Sequence, residues 1–261
     1  MWPPPPGGTW VIDLDGVIWL TGLPIPGVAE AIADLRTAGV RPLFATNNSA
    51  PTRAELHQRM ATCGLAVPDS DLLSSADVAA GMLAPGSSAL VLADDGVREA
   101  LTKRGVRQVA HGPADAVVVG WTRSFTFDLV ADAARAVRAG ARLIGTNEDP
   151  SHPTPDGLLP GTGALLAAVA TAAESDPEVA GKPHRPTADA IKALAPDKDL
   201  RVVVGDRPAT DGLLAGQLDV PFALVLSGVT TPLNIPPDAG AATVADDLAT
   251  LVRTTLDQWA N

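Results

Sequence analysis

Two aspartates one residue apart interrupt a hydrophobic run. In VIDLDGVIWL, residues 11–20, Asp13 and Asp15 lie between Val11-Ile12 and Val17–Leu20. A bare carboxylate in such company is costly unless something pairs with it. Two more aspartates, Asp206 and Asp211, follow the strand-like run Arg201–Val204. Carboxylates gathered in one place repel one another, and a bound cation is the natural remedy. Oxygen-only ligands favour a hard ion, Mg2+ before the transition metals. Mg2+ keeps several waters and binds through one or two carboxylates plus substrate phosphate. An oxygen-rich cleft that holds a phosphate follows.

The segment Thr46-Asn47-Asn48 offers a hydroxyl and successive backbone N–H groups. It stands just before a helix opening at Thr52, whose N-terminus carries partial positive charge. Lys182, framed as Gly181-Lys182-Pro183, adds a cation in a turn-like setting. Metal, phosphate, lysine and carboxylates are the equipment of phosphoryl transfer, where the protein mostly places groups and stabilises charge. An aspartyl-phosphate intermediate divides one difficult step into two. Asp13 is then the candidate nucleophile. Asp15, with Val17 and Trp19 as apolar neighbours, is the candidate acid for the leaving oxygen and base for the attacking water.

These residues need strands that stop where they begin. Thr9–Leu14, Pro42–Thr46, Ala89–Leu92, Ala116–Val119, Arg142–Ile144, Arg201–Val204 and Phe222–Leu226 read as strands. Helical spacing appears in Val28–Thr37, closed by Gly39, and after the capping box of Thr52 and Glu55 to about Cys63, closed by Gly64. Further helices are expected near Val97–Lys103, Phe127–Ala139, Gly163–Ala173, Thr210–Gln217 and Ala245–Trp259. Such alternation predicts an α/β fold, a parallel sheet with helices on both faces. Three strand ends carry Asp13–Asp15, Thr46–Asn48 and Asp206, and ligands bind at the carboxyl ends of strands in open α/β sheets.

With 261 residues the chain is one large domain or two modest ones. A net charge of −11 argues against nucleic-acid binding, which needs a basic face. A single cysteine, Cys63, permits no internal disulfide. No stretch is long and apolar enough for a transmembrane helix, and MWPPPPGGTW lacks the design of a secretory signal. The expectation is a cytoplasmic protein that engages no membrane, with its four consecutive prolines forming a disordered extended arm.

Taken together, Asp13-Leu14-Asp15-Gly16-Val17, Thr46-Asn47-Asn48, Gly181-Lys182-Pro183 and Gly205-Asp206-Arg207 with Thr210-Asp211 resemble the four motifs of the haloacid dehalogenase (HAD) phosphatase superfamily. The wording DLDGV, TNNS and GKP is similar to the NagD-like and 4-nitrophenylphosphatase-like branch. The resemblance runs from Trp10 to about Thr230. It implies a Rossmann-like catalytic core, residues 1–78 and 180–261, with a smaller inserted α/β cap at 79–179. It implies Mg2+ bound by the Asp13 carboxylate, the Asp15 backbone carbonyl and the Asp206 carboxylate, with Asp211 as a direct or water-mediated ligand. Thr46 and Asn47 would bind the phosphoryl group, and Lys182 would hold nucleophile and phosphate. Substrate selection would fall to residues 145–150, GTNEDP, followed by His152-Pro153-Thr154-Pro155, which makes Asn147, Asp149 and His152 the candidates. The cap is also the expected contact surface of a homodimer. The fourth motif departs from the pattern at Pro208 and Gly212; Pro208 suits a first helical turn, whereas Gly212 weakens it. Asp15 argues against dehalogenation, since the dehalogenases lack an acid/base aspartate there.

The expected function is Mg2+-dependent hydrolysis of small phosphate monoesters of sugars, glycerol, glycolate or nucleotides. The partner is a small phosphorylated metabolite. One alternative is a phosphotransferase or mutase with the same intermediate. Another is a non-catalytic phospho-acceptor or metal-binding module, which is usually half this length and uncapped. His57, His111, His152 and His184 show no metal-ligand spacing. Cys63 reads as a small buried side chain, and the tryptophans as packing, with Trp121 a candidate to face the cleft.

Overall fold

The computed structural model describes residues 2–154, 157–195 and 199–260. The chain forms two compact units. One comprises Met1–Thr46, His57–Leu73 and Ala188–Asn261; the other comprises Asn47–Leu56 and Ser74–Thr187.

The first unit is built on a six-stranded sheet in the order Thr243–Ala245, Phe222–Val225, Leu200–Gly205, Gly8–Ile12, Val40–Thr46 and Leu72–Ser74. The first five of these pair in parallel, with Ile12 opposite both Val204 and Phe44. The chain leaves Gly8–Ile12 for Val40–Thr46 and Leu72–Ser74 on one side, and the strands from Leu200 onward lie on the other. That reversal makes the carboxyl end of Gly8–Ile12 a topological switch point. Helix Val28–Thr37 buries Val28, Ala31, Ile32 and Leu35, one stripe at helical spacing, and packs against helix Leu248–Ala260. Each fully buried large side chain, such as Leu35, Phe44 or Trp10, contributes roughly 1.5–3 kcal/mol.

Three expectations need correction here. The N-terminal arm is packed, not disordered. Trp10 takes Trp2 and Trp259 edge-on, with ring centroids 6.3 and 6.2 Å away, and the Trp259 indole N–H donates to the Pro4 carbonyl at 2.7 Å. Prolines lose little entropy on ordering, so three aromatic rings suffice to hold the arm. The closing helix begins at Leu248, because the Asp247 carboxylate accepts the Thr250 N–H at 2.7 Å, while Thr243–Ala245 continues the sheet. Thr210–Gln217 is divided: Pro208–Gly212 forms a wide π-type turn, and a regular helix occupies Leu213–Leu218.

The second unit holds a five-stranded sheet, all parallel, in the order Glu178–Val179, Arg142–Gly145, Ala116–Val119, Ser88–Leu92 and Arg107–Val109. Helices Asp95–Arg104, Phe127–Arg138 and Thr162–Ala173 belong to it, and Leu90, Val117, Leu143, Leu166 and Val169 form part of its core. Helix Ser75–Gly81 starts from a full capping box: Ser74 Oγ accepts the Asp77 N–H, and the Asp77 carboxylate accepts the Ser74 N–H at 2.9 Å. The expected box of Thr52 and Glu55 opens helix Arg53–Thr62 in the same way. An antiparallel hairpin pairs Ser151–Thr154 with Gly157–Pro160. Pro155, expected in the selectivity segment, lies outside the described residues.

Cys63 is buried, and burial pushes its thiol pKa up, which leaves it protonated and inert as expected of a small core side chain. Among the described residues no helix is long and apolar enough to cross a membrane.

Candidate active site

Strand Gly8–Ile12 ends where Asp13 begins, and the Asp13 N–H donates to the Val204 carbonyl at 2.9 Å, so the sheet ladder itself fixes the backbone of the aspartate. Asp206 occupies the corresponding place one strand over, directly after Gly205. Asp211 returns from the wide turn Pro208–Gly212. Gly205 makes room for it, since a Cβ there would sit 2.2 Å from the Asp211 carboxyl carbon. The result is a cluster of carboxylate oxygens from Asp13, Asp206 and Asp211, all within 4.8 Å of one another and all three residues buried. The Val229 N–H donates to Asp206 Oδ2 at 2.5 Å, and the Arg207 N–H donates to Asp211 Oδ2 at 3.2 Å. Gly16 and Gly228 line the approach, where a Cβ would come within 2.5 and 2.0 Å of Asp206 Oδ2.

Asp15 sits in a tight turn closed by the Ile18 N–H on the Leu14 carbonyl at 2.8 Å and the Gly16 N–H on the Trp19 carbonyl at 2.7 Å. Gly16 has φ +86°, a conformation glycine adopts without strain. The Asp15 carboxylate is held at both oxygens: the Trp19 indole N–H donates to Oδ1 at 2.9 Å, and the Thr46 hydroxyl to Oδ2 at 3.4 Å. Trp19 thus serves as a donor as well as an apolar neighbour. The strand ends early, at Ile12, so that this turn can form.

In the second unit Asn47, Asn147, Asp149 and Lys182 form one hydrogen-bonded group. The Lys182 N–H donates to Asn47 Oδ1 at 2.7 Å, and Asn47 Nδ2 donates to the Lys182 carbonyl at 3.0 Å and to Asp149 Oδ2 at 3.2 Å. Asn147 Nδ2 donates to the Asn47 carbonyl at 2.7 Å. Lys182 is 3 % exposed.

His152 lies on the hairpin, its ring 4.9 Å from that of Trp121, whose indole N–H donates to the Pro160 carbonyl at 3.0 Å. His57 pairs with Asp69 at 2.6 Å, and His184 with Glu148 at 2.8 Å. Sequence reasoning took Trp19 only as an apolar neighbour and Thr146 only as part of the segment 145–150, and missed Ser75, Ser227 and Val229. The Ser227 hydroxyl donates to the Gly16 carbonyl at 2.7 Å, and the Ser75 hydroxyl to the Asn47 carbonyl at 2.7 Å. Trp19 had a local signal, its polar tip four residues from Asp15, and Thr146 adjoins Asn147. Ser75, Ser227 and Val229 come from distant segments.

Residues 10–107 match the haloacid dehalogenase-like hydrolase family, and residues 179–251 match its HAD-hydrolase-like group. An acid sugar phosphatase of Staphylococcus saprophyticus is 32% identical over 87% of this chain and 89% of its own length. A D-glycerol 3-phosphate phosphatase of Mycobacterium tuberculosis is 35% identical over 85% of this chain, which spans 63% of that relative's length. The structure of a p-nitrophenyl phosphatase from Archaeoglobus fulgidus superposes with a TM-score of 0.88 at 30% identity, covering 96% of this chain and 100% of that one. The glycerol phosphate phosphatase from Mycobacterium tuberculosis, solved in complex with magnesium, superposes with a TM-score of 0.83 at 33% identity, covering 94% and 76%. The chain belongs to the haloacid dehalogenase-like hydrolase family. Within it, this is an enzyme of the phosphoric monoester hydrolase type.

Proposed function

We propose that this chain hydrolyses small phosphate monoesters, those of sugars, glycerol, glycolate or nucleotides, through an aspartyl-phosphate formed on Asp13. The observation that carries the reading is the meeting of the buried Asp13, Asp206 and Asp211 carboxylates within 4.8 Å at a sheet switch point. The names of the relatives, an acid sugar phosphatase and a D-glycerol 3-phosphate phosphatase, support the substrate class.

The donor set suits a hard divalent ion, and Mg2+ is the proposed one, as in the relative solved with magnesium. The carboxylates of Asp13 and Asp206 and the Asp15 backbone carbonyl would hold it, with Asp211 a direct or water-mediated ligand. When bound it offsets the charge of carboxylates and phosphoryl oxygens.

In the first step Asp13 attacks phosphorus, the ester P–O bond breaks, and Asp15 gives its proton to the departing oxygen. In the second, Asp15 takes a proton from a water that attacks the acyl phosphate. Inorganic phosphate leaves and Asp13 is regenerated. Thr46 and the Asn47 main-chain N–H bind the phosphoryl group, and Lys182 supplies a cation to it. Residues 79–179 act as the cap, with Asn147, Asp149 and His152 contributing to substrate choice.

The test is hydrolysis of p-nitrophenyl phosphate with Mg2+ present. Asp13→Asn is expected to lower kcat by more than about 10⁴-fold, and EDTA to abolish turnover until Mg2+ is restored. Native turnover by the variant, or by fully chelated protein, would overturn the reading.

A further inference from the structure

The Asn47 amide faces the Lys182 main chain as two peptide groups face each other in a sheet. Oδ1 accepts the Lys182 N–H at 2.7 Å while Nδ2 donates to the Lys182 carbonyl at 3.0 Å. This pairing settles the orientation of the amide, because a flip would set NH2 against N–H and oxygen against oxygen. The second Nδ2 proton goes to Asp149 Oδ2 at 3.2 Å. An asparagine amide has two protons, and both are used inside the protein. The Asn47 carbonyl in turn receives the Ser75 hydroxyl and Asn147 Nδ2, each at 2.7 Å. Gly181 completes the fit: a Cβ there would lie 2.6 Å from Asn47 Oδ1 and 2.6 Å from the Thr146 carbonyl oxygen.

We infer that the Asn47 side chain is a positioning residue for Lys182, held in that role by Asp149, and does not bind the phosphoryl group. The inference rests on the reading of Lys182 as the cation of the proposed phosphatase. A lysine ammonium rides on a four-carbon stem and samples many positions unless its base is fixed. Clamping the N–H and C=O of the same residue removes the main-chain part of that freedom. The charge then meets the transition state already in place. Asp149 carries a second consequence: through Nδ2 it ties the loop at residues 145–150 to the lysine, so a change in that loop reaches the lysine through one amide. Only an amide fits. Asn47→Asp keeps the shape and an acceptor for the Lys182 N–H, but puts an oxygen against both the Lys182 carbonyl and the Asp149 carboxylate.

The test is a double-mutant cycle on kcat/KM for p-nitrophenyl phosphate, with the full chain and Mg2+. Asn47→Ala and Asn47→Asp are each expected to lower kcat by about 100-fold. In a Lys182→Ala background the same changes are expected to have almost no further effect. Losses that multiply across the two sites would overturn the positioning role while leaving the reading of Lys182 intact. Native activity in Lys182→Ala alone would instead reject that underlying reading. An independent readout is hydrogen exchange at the Lys182 amide, expected to be faster in Asn47→Ala. Unchanged exchange would overturn the clamp. Asn47→Asp removes no atom from the packing and carries the cycle if the alanine variant does not fold.

Discussion

The two main sheets end in different ways. In the six-stranded sheet, Ile12 and Gly205 are followed at once by Asp13 and Asp206, and with Asp211 they gather three buried carboxyl groups. In the five-stranded sheet, the strand ending at Gly145 is followed by Thr146 and Asn147, whose polar groups find neutral partners. Thr146 Oγ1 and Ser49 Oγ are 2.9 Å apart, both buried, and Asn147 Nδ2 reaches the Asn47 carbonyl at 2.7 Å. The architecture is shared; the side chains placed at the strand ends differ. One edge gathers acidic oxygens of the kind that suit a hard cation, and the other pairs hydroxyl and amide groups. A strand end is therefore a position, and the side chains placed there decide whether it binds or merely stabilises.

Substitutions of opposite sign sharpen this contrast. Thr146→Val should destabilise the protein by about 2 kcal/mol, since it strands the buried Ser49 hydroxyl. A thermal midpoint equal to that of the wild type would show that this edge is not satisfied as described. Asp211→Asn should do the reverse in metal-free protein, raising stability by about 1 kcal/mol as one like charge leaves the cluster. It should also shrink the stabilisation expected from the proposed Mg2+. A destabilised metal-free variant would mean the cluster stores no repulsion.

The smallest effect concerns the half-exposed pair of Arg142 and Glu178, Nε to Oε1 2.8 Å, in the five-stranded unit. Hydrogen bonding from Arg142 holds the Glu178 carboxyl below its ordinary value of 4.5. A carboxylate with a depressed folded-state pKa contributes stability that is complete above its unfolded value and lost as pH falls through the folded one. The stability difference between wild type and Glu178→Gln should thus be only a few tenths of a kcal/mol at neutral pH. It should fade as the pH drops below 4.5. A difference that grows on acidification would contradict the sign.

Much of the framework was legible along the chain. Val28–Thr37 carries its apolar residues at helical spacing, and the helix has those bounds; the Thr52 and Glu55 box forms as expected. Ala116–Val119 is a continuous apolar run and becomes a strand buried along its whole length. Other signals were present but outvoted. Ser74 with Asp77 has capping-box spacing in the sequence, and helix Ser75–Gly81 was not among the expectations. Helix Arg185–Leu194 follows directly on the lysine motif and was hidden by it. Asp247 announces the last helix, but the apolar residues before it extended the pattern too far. The prolines at the N-terminus argued for an unattached arm, because nothing near them reveals that Trp10 and Trp259 will receive Trp2 and Pro4.

By itself, the order of residues determined the alternation of strands and helices, the family, and which side chains stand at strand ends. Those properties are local, set by hydrophobic period, caps and short motifs. Only the tertiary structure decided that Asp211 folds back over Gly205, that Trp19 and Thr46 hold Asp15, and that Asn47 spends its amide on Lys182 and Asp149. The reason is physical. Hydrogen bonds and charge contacts act over a few ångströms of space, and the partners of Asn47 lie 102 and 135 positions away along the chain.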